Sequence, residues 1–268
     1  MKTILLAFLT QLLPTVGSIV LAGLFIHICK RLFVLACGRF APQIVNYSGI
    51  IGTPVHELSH AAMCFVFGHK IKQIKLFGIN KRNGTLGFVK HSFNPRNLRH
   101  RIGNFFIGIA PVVTGSCVVL LLLRLFLPAV FTQVAALLQD TAQGSLAFET
   151  FTQIGTAILS IFKLIFATGN FENWKLWVFV FLAATIAIHM ELSTADIKGG
   201  WDGFLFLAGA FLLVDVVLFF VRPEWLATFT NAMMQGGLYL ISLLLLSAVF
   251  AGTIGAVSLV VVLLKKIF

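Results

Sequence analysis

Six stretches of this chain are apolar over roughly the length needed to cross a lipid bilayer: 4–29, about 45–67, 102–127, 176–192, 203–221 and 237–264. A bilayer core takes about 20 apolar residues per helix. Of the 268 residues 59% are hydrophobic and 11% charged, whereas a water-facing domain keeps about a quarter of its residues charged. The expected fold class is therefore an all-α polytopic membrane protein with about six transmembrane helices, organised as one domain over 1–268. A seventh stretch, 154–168, carries Lys163 and is short for a span, which suggests an interfacial or re-entrant helix. The apolar run after Lys2 is too long for a signal peptide and has no small-x-small cleavage site, so it reads as a retained helix. Trp174, Trp177, Trp201 and Trp225 fall near the proposed helix ends, where aromatic belts form.

Charge orients such a chain. Its net charge is +11, and nine basic residues lie between Lys70 and Arg101 (Lys70, Lys72, Lys75, Lys81, Arg82, Lys90, Arg96, Arg99 and Arg101). No acid lies between Glu57 and Asp140. A basic run of this kind can bind nucleic acid. Apolar segments flank it on both sides, however, so it reads as a cytoplasmic loop, 69–101, facing anionic lipid head groups, with no nucleic-acid partner. That choice puts the N-terminus inside, and Lys265 and Lys266 inside with it, but leaves Lys30, Arg31 and Arg39 outside. Within the loop, alternating Lys and Ile over 70–77, the Asn83-Gly84 turn signal and the β-prone stretch 85–93 predict a small cytoplasmic β-hairpin. The four cysteines, Cys29, Cys37, Cys64 and Cys117, form no CxxC pair, so neither a disulfide framework nor a zinc ribbon is indicated. Cys64 and Cys117 lie in apolar segments and read as small hydrophobes.

The second apolar segment contains His56-Glu57-Leu58-Ser59-His60. HExxH on a helix turns two imidazoles to one face, within reach of one metal ion, with the Glu placed to take a proton from an attacking water. Ionisable groups inside a membrane helix are expensive and mark function by default. A catalytic zinc takes three protein ligands and keeps one position open. His56 and His60 supply two. The third is expected from 189–200, the other concentration of polar groups, where Asp196 is preferred and Glu191 and then His189 are the alternatives. Ser193, Thr194, Gly199 and Gly200 favour local unwinding there. Asp215, in the fifth segment, fits either a functional group paired with a cation such as Arg124 or a protonated carboxyl packed against a neighbour. His27 and Cys29 read as interfacial residues.

Taken together, Thr53-Pro54-Val55-His56-Glu57-Leu58-Ser59-His60-Ala61-Ala62, Phe67-Gly68-His69-Lys70, Gly87-Phe88-Val89-Lys90 and Ala110-Pro111 with Gly115 resemble the site-2 protease family of intramembrane zinc metalloproteases. The resemblance covers about 45–125 and 189–200. It implies His56, His60 and Asp196 as zinc ligands, Glu57 as general base, and a β-segment that presents an unwound substrate strand by β-augmentation. In that family the third-ligand Asp is followed directly by Gly, often after Asn-Pro. Here Asp196 is followed by Ile197-Lys198-Gly199 and preceded by Ser193-Thr194-Ala195, the mark of a divergent branch. No connection is long enough for an inserted PDZ-type domain.

The expectation is thus a zinc-dependent endopeptidase of a bacterial-type cytoplasmic membrane. It would cut membrane-spanning or membrane-bound proteins near the cytoplasmic side. Two alternatives stay open: a divalent-metal transporter, which would need further acidic or His ligands on facing helices, and an inactive homologue that binds membrane partners.

Overall fold

A computed structural model describes residues 1–79, 84–143 and 148–267. Among these the chain is all-α apart from one small two-stranded sheet. The helices are α1 (Lys2–Leu12), α2 (Ser18–Cys37), α3 (Ala41–Phe67), α4 (Leu98–Phe126), α5 (Pro128–Ala142), α6 (Phe148–Ile165), α7 (Trp174–His189), α8 (Thr194–Val221) and α9 (Pro223–Ile267). The strands are β1 (Lys70–Lys75) and β2 (Phe88–Ser92). By length and composition, four helical stretches suffice to cross a membrane: Lys2–Phe67, Leu98–Phe126, Thr194–Val221 and Pro223–Lys266.

Proline and glycine punctuate the first stretch. Pro14 lacks an N–H, and a π-helical turn over Leu13–Gly17 absorbs the missing bond between α1 and α2. Gly38, with φ +55°, then breaks the chain between α2 and α3. The first helical run packs parallel to α9: Pro14 lies against Gly237, Phe25 against Gly252 and Cys29 against Gly255, and Lys265 Nζ donates to the Ala36 carbonyl at 2.6 Å. Lys265 therefore shares an end of the bundle with Gly38. The basic loop leaves α3 at the opposite end, after Phe67, and folds back along that helix until Phe77 and Leu86 lie against Gly49. This corrects the expectation that Lys265 and Lys266 would share a side with that loop.

The expected fourth and fifth segments also differ from their reading as separate spans. Descending α4, Arg101 pairs with Asp202 at 2.9 Å, Gly108 lies against Asp196 and Gly115 lies against Met190. Helix α4 thus runs antiparallel to α8 and then to α7. These two helices abut end to end along it, with a break at 190–193. The unwinding predicted near Asp196 is confined to that break, because Gly199 and Gly200 are helical.

Two helices fill the other side. Helix α5, which the apolar segments did not reveal, buries Val130, Val134, Leu138 and Ala142 at a four-residue spacing. Helix α6, expected as an interfacial piece, buries Ala157, Ile161 and Ile165 in the main core beside Leu176 and Phe179 of α7 and Phe250 of α9. That spacing lays one apolar stripe along each helix. The expected hairpin is present: β1 and β2 pair antiparallel, with Lys70 opposite Ser92 and Lys75 opposite Phe88. Of its turn signal, Gly84 has φ +71°, and Asn83 lies outside the described residues.

Candidate metal centre

Both imidazoles of the HELSH motif are oriented by backbone carbonyls released from helical hydrogen bonding. His56 Nδ1 donates to the His189 carbonyl at 2.8 Å. His189 is the last residue of α7, where carbonyls have no helical donor. His60 Nδ1 donates to the Ile107 carbonyl, also at 2.8 Å. That carbonyl is free because Pro111, four residues on, has no N–H to give it. With both Nδ1 atoms protonated, both Nε2 atoms carry lone pairs, and these face each other at 3.1 Å.

Asp196 completes the group. Its Oδ1 lies 3.2 Å from His60 Nε2, and its Oδ2 lies 3.8 Å from His56 Nε2. The carboxylate is held by a capping box at the start of α8. The Ser193 N–H donates to Asp196 Oδ2 at 2.8 Å, and the Asp196 N–H donates to Ser193 Oγ at 3.1 Å. A helix N-terminus also favours the negative charge. Close helix contact makes the meeting possible: a Cβ on Gly108 would lie 2.7 Å from the Asp196 carbonyl oxygen.

The donor set suits zinc. Ligand atoms held about 2.0–2.1 Å from one tetrahedral zinc stand about 3.3 Å apart, close to the 3.1 Å between the two Nε2 atoms and the 3.2 Å from His60 Nε2 to Asp196 Oδ1. Two bare imidazole nitrogens turned to each other beside a carboxylate repel unless a cation lies between them. The carbonyl-bound Nδ1–H groups of His56 and His60 are of the kind that orients histidines in metal sites.

The other candidates are placed elsewhere. Glu191 forms an ion pair with Lys30, and its Oε2 lies 3.1 Å from His27 Nδ1. It faces α2, not His56 and His60. The His189 ring meets Ser48 Oγ at 3.0 Å, so His189 serves His56 through its backbone. Asp215 is fully buried and accepts from Gln11 Nε2 at 2.7 Å. Arg124, suggested as its cation, instead lies over the Phe131 ring.

Glu57 is buried and lines a cavity of about 340 Å³ together with His56, His60 and Asp196. The far wall comes from Gly87, Phe88, Val89 and His91 of the hairpin and from Asn104 of α4. A Cβ on Gly87 would lie 2.8 Å from Glu57 Cγ, so the strand is laid directly over that residue. Burial, reinforced by His69 and His60, lowers the pKa of His91 below the ordinary histidine value. A second, apolar cavity of about 440 Å³ reaches Asp196 from the side, between Val20 and Leu24 of α2, Phe105 and Ile109 of α4, and Phe204 of α8. Sequence reasoning missed Ser193, Ile107, Asn104 and His91. The Ser-x-x-Asp pattern and the position of Pro111 were the signals for the first two. Nothing local marked the others.

Set against protein-family models, curated proteins and solved structures, the chain has no match.

Proposed function

We propose that this protein is a zinc-dependent endopeptidase of the site-2 protease type, embedded in a membrane and acting on membrane-spanning or membrane-bound proteins. The observation that carries the reading is the group of His56, His60 and Asp196 with bare nitrogens and a carboxylate converging, and Glu57 beside them in one cavity. The setting supports it. Leu205, Leu213, Val217 and Phe220 of α8 are exposed, and so are Leu21, Leu24 and Leu35 of α2. Apolar faces this extensive suit lipid. Five helical tracks then cross the bilayer (α1 with α2, α3, α4, α7 with α8, and α9), with α5 and α6 packed against them. The basic loop lies on the cytoplasmic side, where Lys70, Lys72, Lys75, Lys90, Arg96 and Arg99 are exposed.

His56, His60 and Asp196 would hold the ion. Bound there, zinc would polarise the scissile carbonyl and make water a better nucleophile near neutral pH. The chain's own residues do the rest. Glu57 takes a proton from the attacking water as its oxygen bonds to the carbonyl carbon. It passes that proton to the nitrogen as the C–N bond breaks, leaving a carboxyl and an amine. The substrate helix must unwind first, because a helical peptide group is shielded by its own hydrogen bonds. The apolar cavity beside Asp196 admits it laterally, and β2 offers an edge along which an extended strand can pair.

Glu57→Gln tests this directly. The purified variant, reconstituted in liposomes with a membrane-protein substrate found by comparing fragments in cells, should keep its zinc and lose cleavage by about 10²–10⁴-fold. Undiminished cleavage would sink the mechanism. Zinc flux into the same vesicles without cleavage would favour a transporter.

A further inference from the structure

Helix α3 carries a third metal-binding side chain one turn beyond His60. His56, His60 and Cys64 recur every four residues and lie along one stripe. Cys64 is 0% exposed. Just past it the helix ends in a Schellman turn: Gly68 takes φ +77°, the Gly68 N–H donates to the Phe65 carbonyl, and the His69 N–H donates to the Cys64 carbonyl at 2.8 Å. That reversal folds His69 back over Cys64. The antiparallel register, with Ile71 opposite His91, brings His91 to the same place.

The three side chains converge. The Sγ of Cys64 and one ring nitrogen each of His69 and His91 all lie within 4.8 Å of one another. His69 Nδ1 and His91 Nδ1 are 3.0 Å apart. His69 Nε2 donates to the His100 carbonyl at 2.9 Å, so its Nδ1 carries the lone pair and faces inward. At His69 this repeats the arrangement at His56 and His60, with an outer carbonyl fixing the tautomer. A thiolate with two imidazoles is a donor set for a borderline-soft divalent ion, zinc foremost.

We propose that Cys64, His69 and His91 bind a second zinc ion, separate from the one at His56, His60 and Asp196, and that this ion pins β2 to the end of α3. The site stands independently of the peptidase reading; its consequence rests on that reading. His91 also lines the cavity above Glu57, so loading the second site holds in place the strand that would receive substrate. It governs presentation of the substrate rather than the chemistry.

The experiment uses the full-length chain in detergent, loaded with Co²⁺ in place of zinc. The wild type should bind two equivalents and show a thiolate-to-cobalt charge-transfer band in the near ultraviolet. Cys64→Ser should lose one equivalent and the band. His91→Asn, which leaves the packed end of α3 intact, should lose the same equivalent. His56→Ala/His60→Ala should also fall to one equivalent but keep the band. One equivalent with the band in both the wild type and this double variant would remove the first site and leave the second standing. A wild-type chain saturated with cobalt that shows no thiolate band would overturn the proposal, reducing the cluster to a hydrogen bond between His69 and His91 with Cys64 packed beside it.

Discussion

The Ile107 carbonyl accepts a hydrogen bond from His60 Nδ1 at 2.8 Å, a bond that exists because a proline sits one turn further along α4. In an unbroken helix the amide of residue 111 would claim that carbonyl. Pro111 has none to offer, so the acceptor turns to α3. A residue usually explained by helix distortion here sets the tautomer of a proposed metal ligand.

Pro111→Ala restores the competing N–H. The helix itself should gain stability, while His60 loses its orientation. Zinc affinity is expected to fall by about 10–100-fold, the usual cost of removing an outer hydrogen bond to a ligand. Competition with a chromophoric chelator measures it, and an unchanged affinity would show that the carbonyl has no such role.

Ser193→Ala removes the N-cap of α8 and half of the box that holds Asp196. The loss of the cap should cost about 1 kcal/mol, and zinc affinity should fall with it as the carboxylate is freed. Ser193→Asn, which keeps a capping oxygen, should recover both properties. Thermal denaturation in detergent and zinc titration report on the two separately.

Asp196→Ala and Glu191→Ala should behave differently although they lie five residues apart. The first should lower zinc content. The second should leave zinc bound but destabilise the fold, because it strands Lys30 in a partly buried position. Metal analysis of the two purified variants decides the matter, and loss of zinc in Glu191→Ala alone would move the third ligand.

Gly108→Ala places a methyl group where α4 and α8 touch. With the Asp196 carbonyl oxygen 2.7 Å from that position, α8 must shift. The expected cost is about 1–3 kcal/mol, together with a drop in zinc affinity. Wild-type stability and affinity would mean that α8 is not seated on α4 in this way.

The arrangement of the bundle makes a topological prediction. Cysteines introduced at Lys90 and Lys266 should label from opposite sides of the membrane with an impermeant maleimide, the first from the cytoplasm. Labelling of both from one side would restore an even number of crossings.

Much of this was legible in the residues themselves, because the physics involved is local. A run of 20 apolar residues declares its solvent. HELSH on any helix turns His56 and His60 the same way. Alternating Lys and Ile beside Asn83-Gly84 announce a hairpin. What remained open depends on which surfaces meet. His189, Glu191 and Asp196 are equivalent as potential ligands over an eight-residue stretch. Only the seating of α8 against Gly108, and of Glu191 against Lys30, separates them. Whether 176–192 and 203–221 fold back or abut depends on both packing along α4, a partner more than 70 residues away. Cys64, His69 and His91 lie within 28 residues of one another, yet they become a cluster only when a Schellman turn and a strand register act together. Chain-local propensities determined most of the elements, though not α5, and the first two candidate ligands. Close packing between distant helices decided the third, because a side chain's partners are set by the backbone that approaches it and not by its neighbours in sequence.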